Sequence, residues 1–175
     1  MKYDLIIVSA SKDSSLIKMT QDAIDSCLAD GADVNVIMVE TFKIANYRNV
    51  NKTVLFTGEF NYNHCLNLGL AHRKGDIQIL SNNDVVFQPG WSSIGETMQH
   101  YNYLSASALS NHPRQRLFKR GDYAYEGYDI CLYVTGWCLF VDRKVWDQIG
   151  PLDETYAFWY SDDAYVAQLK RKGIK

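Results

Sequence analysis

Ser9-Ala10-Ser11, Glu40 and Asn82-Asn83-Asp84 are short polar clusters, each standing directly after an apolar run of strand length. Hydroxyls, amides and carboxylates placed this way make a hydrogen-bonding, acidic cleft if the runs lie side by side. Asp162 and Asp163 add a pair of carboxylates where the last helical stretch opens. Each cluster also has an ordinary explanation. Asn and Asp favour turns at strand ends, a strand-end Glu40 is often merely solvated, and acidic residues complement a helix N-terminus by a few tenths to ~1 kcal/mol. The four histidines (His64, His72, His100, His112) lack ligand spacing. The four cysteines (Cys27, Cys65, Cys131, Cys138) show neither C-x-x-C spacing nor the density of a disulfide scaffold. They read as reduced thiols of a cytoplasmic protein.

The elements that must position these clusters alternate strand and helix. Tyr3 to Ala10 reads as a strand buried on both faces. Leu16, Met19, Ala23, Ile24, Cys27 and Leu28 then recur at helical spacing until Gly31. Val34 to Val39 and Thr53 to Phe56 predict further strands, Tyr62 to Ala71 a second helix, and Asp76 to Leu80 a fourth strand. This alternation predicts an α/β fold with a mostly parallel central sheet flanked by helices. In such sheets ligands bind beyond the carboxyl ends of the strands, where all three strand-end clusters fall. Further on, the pattern predicts a helix at Ile94 to Tyr101 and strand-like runs at Cys131 to Val134 and Cys138 to Val141. Helices at Asp142 to Ile149 and Asp162 to Lys172 complete it.

The 175 residues, 47% hydrophobic and 22% charged, suit one domain over 1–175. A chain of this size buries roughly 70% of its unfolded surface. No repeat, low-complexity segment or linker divides it. Lys plus Arg number 18 against 20 Asp plus Glu, a net charge of -2, which argues against a general nucleic-acid binder. No apolar run approaches the ~20 residues of a membrane span. Met1-Lys2-Tyr3-Asp4 sets a carboxylate ahead of a short apolar run, unlike a secretory signal.

The stretch Phe60 to Trp91 contains, in order, Asn67-Leu68-Gly69, Lys74-Gly75-Asp76 and Asn82-Asn83-Asp84. Thr135-Gly136-Trp137-Cys138-Leu139-Phe140 follows, then Arg143 to Glu154 (RKVWDQIGPLDE) and Phe158-Trp159-Tyr160-Ser161-Asp162-Asp163. In this order the motifs resemble those of inverting GT-A nucleotide-sugar glycosyltransferases. That family has an N-x-G helix, a K-G-D turn and a D-x-D or N-N-D motif. A G-G-x-x strand, an R-x-V-F-x-x-I-G-x-F-D-E segment and an acidic pair opening a helix come later. The resemblance covers nearly the whole chain. It implies a single-domain, Rossmann-like GT-A fold, with 1–91 as the nucleotide-sugar-binding half and 92–175 as the acceptor-binding half.

The resemblance also implies an activity: metal-dependent, inverting transfer of a sugar from a nucleotide sugar, most simply a UDP-sugar, to a hydroxyl of a saccharide or small acceptor. As a hexosyltransferase of this kind, the chain would use Asp84 to hold Mn²⁺ or Mg²⁺, hard cations that accept one or two carboxylates with phosphate oxygens and water. The ion would stabilise charge on the departing diphosphate. Asn82 would approach the metal or ribose through its uncharged amide, leaving metal binding weak without nucleotide. Ser9, Ala10, Ser11 and Glu40, with Asn83, would hold the nucleoside. The family's Arg ahead of N-x-G is Leu66 here, so that contact either is missing or comes from elsewhere, with Asn63 and His64, about one turn before Asn67, as candidates. Gly136, Trp137, Trp159 and Tyr160 would border the acceptor, flat rings suiting the apolar faces of sugars. Tyr123, Tyr125 and Tyr128 either line the same cleft or pack the core. Arg114, Arg116, Lys119 and Arg120 either steer an anionic group or form a solvated loop. Many relatives supply a metal-binding His from a later loop. This sequence, ending at Lys175, has none, which implies a more open site or a shortened chain.

Inversion needs one general base to take the acceptor proton. Asp162 shares a helical face with the apolar Tyr165, Val166 and Leu169, whereas Asp163 shares one with Val166, Ala167 and Lys170. Asp162 is therefore the expected base, and counting back from Gly173 agrees; aligning on the acidic pair itself would choose Asp163. The helix N-terminus would favour an ionised base while weakening it as a proton acceptor. Two alternatives stand beside this reading. A sugar nucleotidyltransferase would normally carry a Gly-rich, basic loop after the first strand, and Ser9 to Ser15 contains no glycine. A non-catalytic nucleotide-binding relative is the other, kept open by the missing Arg and His.

Overall fold

Apolar, β-branched runs set the centre of the sheet. In the computed structural model, which describes residues 1–118 and 124–175, they become β1 (Lys2–Ser9), β2 (Asp33–Glu40), β3 (Lys52–Leu55) and β4 (Ile77–Asn82). Lys119, Arg120 and Tyr123 lie outside the described residues. These four strands pair in parallel, with β1 between β2 and β4 and β3 outside β2. The second half of the chain adds β6 (Cys138–Asp142) antiparallel to β4 and β5 (Ser105–Ser107) antiparallel to β6. The order is β3-β2-β1-β4-β6-β5, one mostly parallel sheet that both halves of the chain share.

Helices cover both faces: α1 (Ser14–Leu28), α2 (Tyr62–Leu70), α3 (Ser93–Tyr101), α4 (Arg143–Ile149) and α5 (Ser161–Lys172). Because successive side chains of a strand point oppositely, β1 feeds two cores. Ile6 and Val8 pack with Leu66, Trp146, Tyr165 and Leu169 on the α2, α4 and α5 side. Leu5 and Ile7 pack with Ile24, Cys27 and Met98 on the α1 and α3 side.

One expected strand is absent and one strand is unforeseen. Cys131 to Val134 is a turn rather than a strand: Cys131 is left-handed (φ 63°), and a lone bridge joins Ile130 to Val134. The edge strand β5 is instead Ser-Ala-Ser, too short and too polar to show an apolar alternation.

At the amino end of the sheet the Lys74-Gly75-Asp76 turn is held by Asp4, a buried carboxylate in β1. It accepts from Lys74 N (2.9 Å), Gly75 N (2.7 Å), Asn35 Nδ2 (2.8 Å) and Gln78 Nε2 (3.1 Å). Gln78 in turn accepts from Trp146 Nε1 at 2.8 Å, carrying the network to α4. A Cβ at Gly75 would stand 2.8 Å from the Lys2 carbonyl oxygen, so only glycine passes here. Asp4→Ala strands the buried Gly75 N–H and takes the buried Gln78 amide's bond to the carboxylate, each costing about 1–3 kcal/mol, and also frees the part-buried Lys74 N–H. Urea unfolding should therefore show a loss of about 3 kcal/mol or more. A change below about 1 kcal/mol would show that water replaces the carboxylate.

Candidate functional site

The carboxyl ends of β1, β2 and β4 lie in one row, since Ser9 is in register with Glu40 and Val8 with Asn82. The Ser9, Ser11 and Glu40 side chains are turned inward. Glu40 accepts from Ser11 N at 2.8 Å and Thr41 N at 3.2 Å, and Ser11 Oγ donates to Lys43 O at 2.6 Å. Ser9 Oγ meets Thr20 Oγ1 (3.2 Å) and Tyr47 Oη (3.1 Å), and Asn83 Nδ2 donates to Thr20 Oγ1 (3.0 Å). These groups, expected to touch a nucleoside, instead build the loop that would receive it. Ala10, between them, is partly exposed. Thr20 and Tyr47 carry no motif, and their part in this network is invisible without the fold.

Asn63 and Asn67 also serve a different purpose from the expected one. Asn63 is 2% exposed, and its amide donates to Asp153 O at 2.7 Å. Asn67 donates to Leu152 O (2.9 Å) and Glu154 Oε1 (2.8 Å) and accepts from Leu152 N (2.9 Å). His64 Nδ1 lies 2.8 Å from Glu154 Oε2. The hydrogen bonds of all three hold α2 to the loop before α5.

Asn82-Asn83-Asp84 and the acidic pair are linked through Gly136-Trp137. Asn82 N donates to Trp137 O at 2.8 Å, and Gly136, the next residue back, lies against Asp162. A Cβ on Gly136 would sit 2.9 Å from the Asp162 carboxylate, so the glycine is the space the carboxylate occupies. The Tyr62 hydroxyl donates to Asn82 Oδ1 at 2.8 Å. Burial pushes that hydroxyl far above the usual tyrosine range, with the charges of Cys138, Asp84, Cys65 and Asp162 adding to the effect. It is a permanent neutral donor, within electrostatic reach of both carboxylates.

Asp84 is exposed and makes no hydrogen bond or ion pair among the described residues. No group of three or more His, Cys, Asp or Glu gathers around an ion among them. One free carboxylate at a rigid strand end suits a hard cation that completes its shell from phosphates and water. The residues therefore fit a metal brought with a nucleotide.

Asp162 is half-buried and Asp163 exposed, as the face analysis of α5 expects. Burial raises the Asp162 pKa, and the neighbouring Asp163 charge raises it further. The helix N-terminus was expected to act in the opposite sense; desolvation outweighs it. Asp163 faces Lys170, Arg114 and Asp129 on the outer side. Trp137 lines a cleft of about 1560 Å³ that also includes Asp84 and His112. Trp159 (78% exposed) and Tyr160 (67%) stand on the loop before α5, with Phe158 and Tyr156 beside them. Tyr128 donates to Ile174 O (2.6 Å), and Tyr125 stacks on Phe118 (4.2 Å).

No known family model matches the chain, and no curated protein matches it in sequence. Solved structures do. The mannosyltransferase PcManGT from Pyrobaculum calidifontis, in complex with GDP-Man and Mn²⁺, is similar at a TM-score of 0.68 and 12% identity, over 95% of this chain and 50% of that one. A mutant of the Drosophila beta-1,4-galactosyltransferase 7, with manganese, UDP-Gal and xylobiose, gives 0.59 and 13%, over 100% and 63%. Mycobacterium tuberculosis glucosyl-3-phosphoglycerate synthase with UDP gives 0.60 and 11%, over 98% and 66%. The chain thus spans half to about two thirds of these proteins. Its sheet and helix placement are those of the GT-A nucleotide-sugar glycosyltransferase fold.

Proposed function

We propose that this chain transfers a sugar from a nucleotide-activated donor, most simply a UDP-sugar, to a hydroxyl of a saccharide or small acceptor, with inversion. The supporting observation is that Asn82, two residues before Asp84, bonds the Trp137 carbonyl while Asp162 lies against the neighbouring Gly136, and that Asp84 and Trp137 line one cleft. UDP or UDP-Gal in two similar structures supports the donor, and xylobiose in one supports a saccharide acceptor. The sequence halves 1–91 and 92–175 then serve donor and acceptor. The four free thiols support a cytoplasmic setting.

In this reading the backbone of Ser9-Ala10-Ser11, shaped from below by Glu40, receives the nucleoside. Asp84 would hold Mn²⁺ or Mg²⁺, which supplies positive charge to the departing diphosphate. Asp162 takes the proton of the acceptor hydroxyl as its oxygen attacks the anomeric carbon and the nucleoside diphosphate leaves. Trp137, Trp159 and Tyr160 offer rings to the acceptor.

A second reading, a sugar nucleotidyltransferase, draws support from likeness to a CMP:2-keto-3-deoxy-manno-octonic acid synthetase with CTP, at a TM-score of 0.55 and 13% identity. A triphosphate cradle needs free backbone N–H groups. Here Ser11 N is spent on Glu40 and Lys12 N on Ala10 O, which favours the first reading. Assaying a panel of UDP-, GDP- and dTDP-sugars with saccharide acceptors against sugar phosphates with CTP or UTP separates the two. Donor binding without turnover in either assay would identify a non-catalytic relative.

Asp84→Ala should abolish the Mn²⁺-dependent gain in donor affinity with the fold intact. Titration calorimetry showing an undiminished gain would remove Asp84 from the metal site. Asp162→Asn should lose most turnover, about 10²-fold or more, while keeping donor affinity; Asp163→Asn should remain active. Because the Asp162 pKa is raised, activity falls as pH drops through a value above the ordinary aspartate range. Asp163→Asn removes a like charge and should move that acid limb to lower pH. A limb that stays in place, or the opposite ranking of the two variants, contradicts the assignment.

A further inference from the structure

Tyr62 touches both halves of the candidate site. Its backbone N–H donates to Ala157 O at 2.6 Å, and its ring meets Phe158 edge-on with centroids 5.9 Å apart. Its hydroxyl, at the other end of a buried side chain, donates to Asn82 Oδ1 at 2.8 Å. An amide is planar, so holding its oxygen fixes where its nitrogen points. Asn82 is half-buried and lines the cleft shared with Asp84 and Trp137. Its Nδ2 has no protein acceptor among the described residues and is not sealed from solvent. An NH₂ group does not ligate a hard cation; it donates hydrogen bonds to hydroxyl or phosphate oxygens.

We propose that Tyr62 is a positioning residue. It turns the Asn82 amide so that the NH₂ donates to an oxygen of the nucleotide-sugar donor, leaving the cation to Asp84. This rests on the donor-binding reading above and deepens it. The first residue of the metal motif then acts on the nucleotide and not on the metal, and the reason lies 20 residues upstream in α2.

Titration calorimetry on the full chain, with UDP and with GDP, each with and without Mn²⁺, tests this. Tyr62→Phe keeps the ring and the backbone N–H and removes only the hydroxyl. It should weaken nucleotide binding about tenfold, and equally with and without Mn²⁺. Asn82→Ala should weaken it at least as much, and the double variant no further than Asn82→Ala alone. Additive losses would mean that Tyr62 acts structurally, and a loss confined to the Mn²⁺ titrations would mean that Asn82 serves the metal; either overturns the proposal. Asn82→Asp, whose carboxylate cannot donate, should bind more weakly than the parent without Mn²⁺, and equal or tighter binding also overturns it. A parent chain that binds neither nucleotide overturns the donor-binding reading and this proposal together.

Discussion

The side-chain amides of α2 hold the irregular chain between α4 and α5, and the placement of the acidic pair depends on that hold. Asn61 donates to Glu154 O (2.7 Å), Asn63 to Asp153 O, and Asn67 bonds Leu152 through both its carbonyl and its NH₂. A loop without a ladder must still satisfy its backbone polar groups, and here helix side chains do so. The entry to α5 has no help of its own. Tyr160 is left-handed (φ 65°), and no side chain caps the helix. The direction of the first turn, and so the seat of Asp162 against Gly136, is inherited from α2. That helix is in turn set by the sheet. A Cβ at Gly69 would lie 2.4 Å from Ile6 Cγ2, so glycine lets α2 lie close on β1. The N-x-G motif thus reads as one device: the asparagine grips the loop, and the glycine fixes the depth of the helix that carries it.

What sequence could disclose follows the range of the interaction. Strand and helix identities came from apolar periodicity within a dozen residues, and the structure keeps nearly all of them. Asp162 facing inward with Tyr165, Val166 and Leu169 is a local property of helical spacing, equally legible. The purpose of Asn63 and Asn67 is not local, because their partners lie 85 to 90 residues away. An asparagine near a ligand cleft and one tied to a distant carbonyl look the same in a linear string. The burial of Glu40 is hidden for a related reason: it depends on how Ser11 and Thr41 fold over the carboxylate. The Cys131 to Val134 run misleads because apolar composition cannot signal the left-handed residue that opens it.

Two physical effects compete at the candidate base, and their order matters for chemistry. The N-terminus of α5 favours a carboxylate and would make it a poor proton acceptor. Packing against Gly136 desolvates Asp162, and the adjacent Asp163 repels its charge. The second pair of effects wins, raising the proton affinity of the group that, under the proposed function, accepts a proton. A base exposed like Asp163 would lack the first of these influences. The neighbouring carboxylate then has a use without touching a reactant: it tunes Asp162 through space.

The same reasoning bears on the metal. Among the described residues no three metal-ligating side chains gather near Asp84, and Asn82 is uncharged and tied to Tyr62, so these residues offer little of a cation's shell. Under the proposed function, a nucleoside diphosphate supplies the remaining oxygens. Ion and nucleotide then bind as linked ligands, each raising the affinity of the other by the same factor. A framework already ordered by the Tyr47-Ser9-Thr20-Asn83 hydrogen bonds lowers the cost of that joint event, since little loop entropy remains to be lost. Under that reading, order in the loop after β1 and sparseness around Asp84 are complementary: the first favours the nucleotide, and the second makes the ion wait for it.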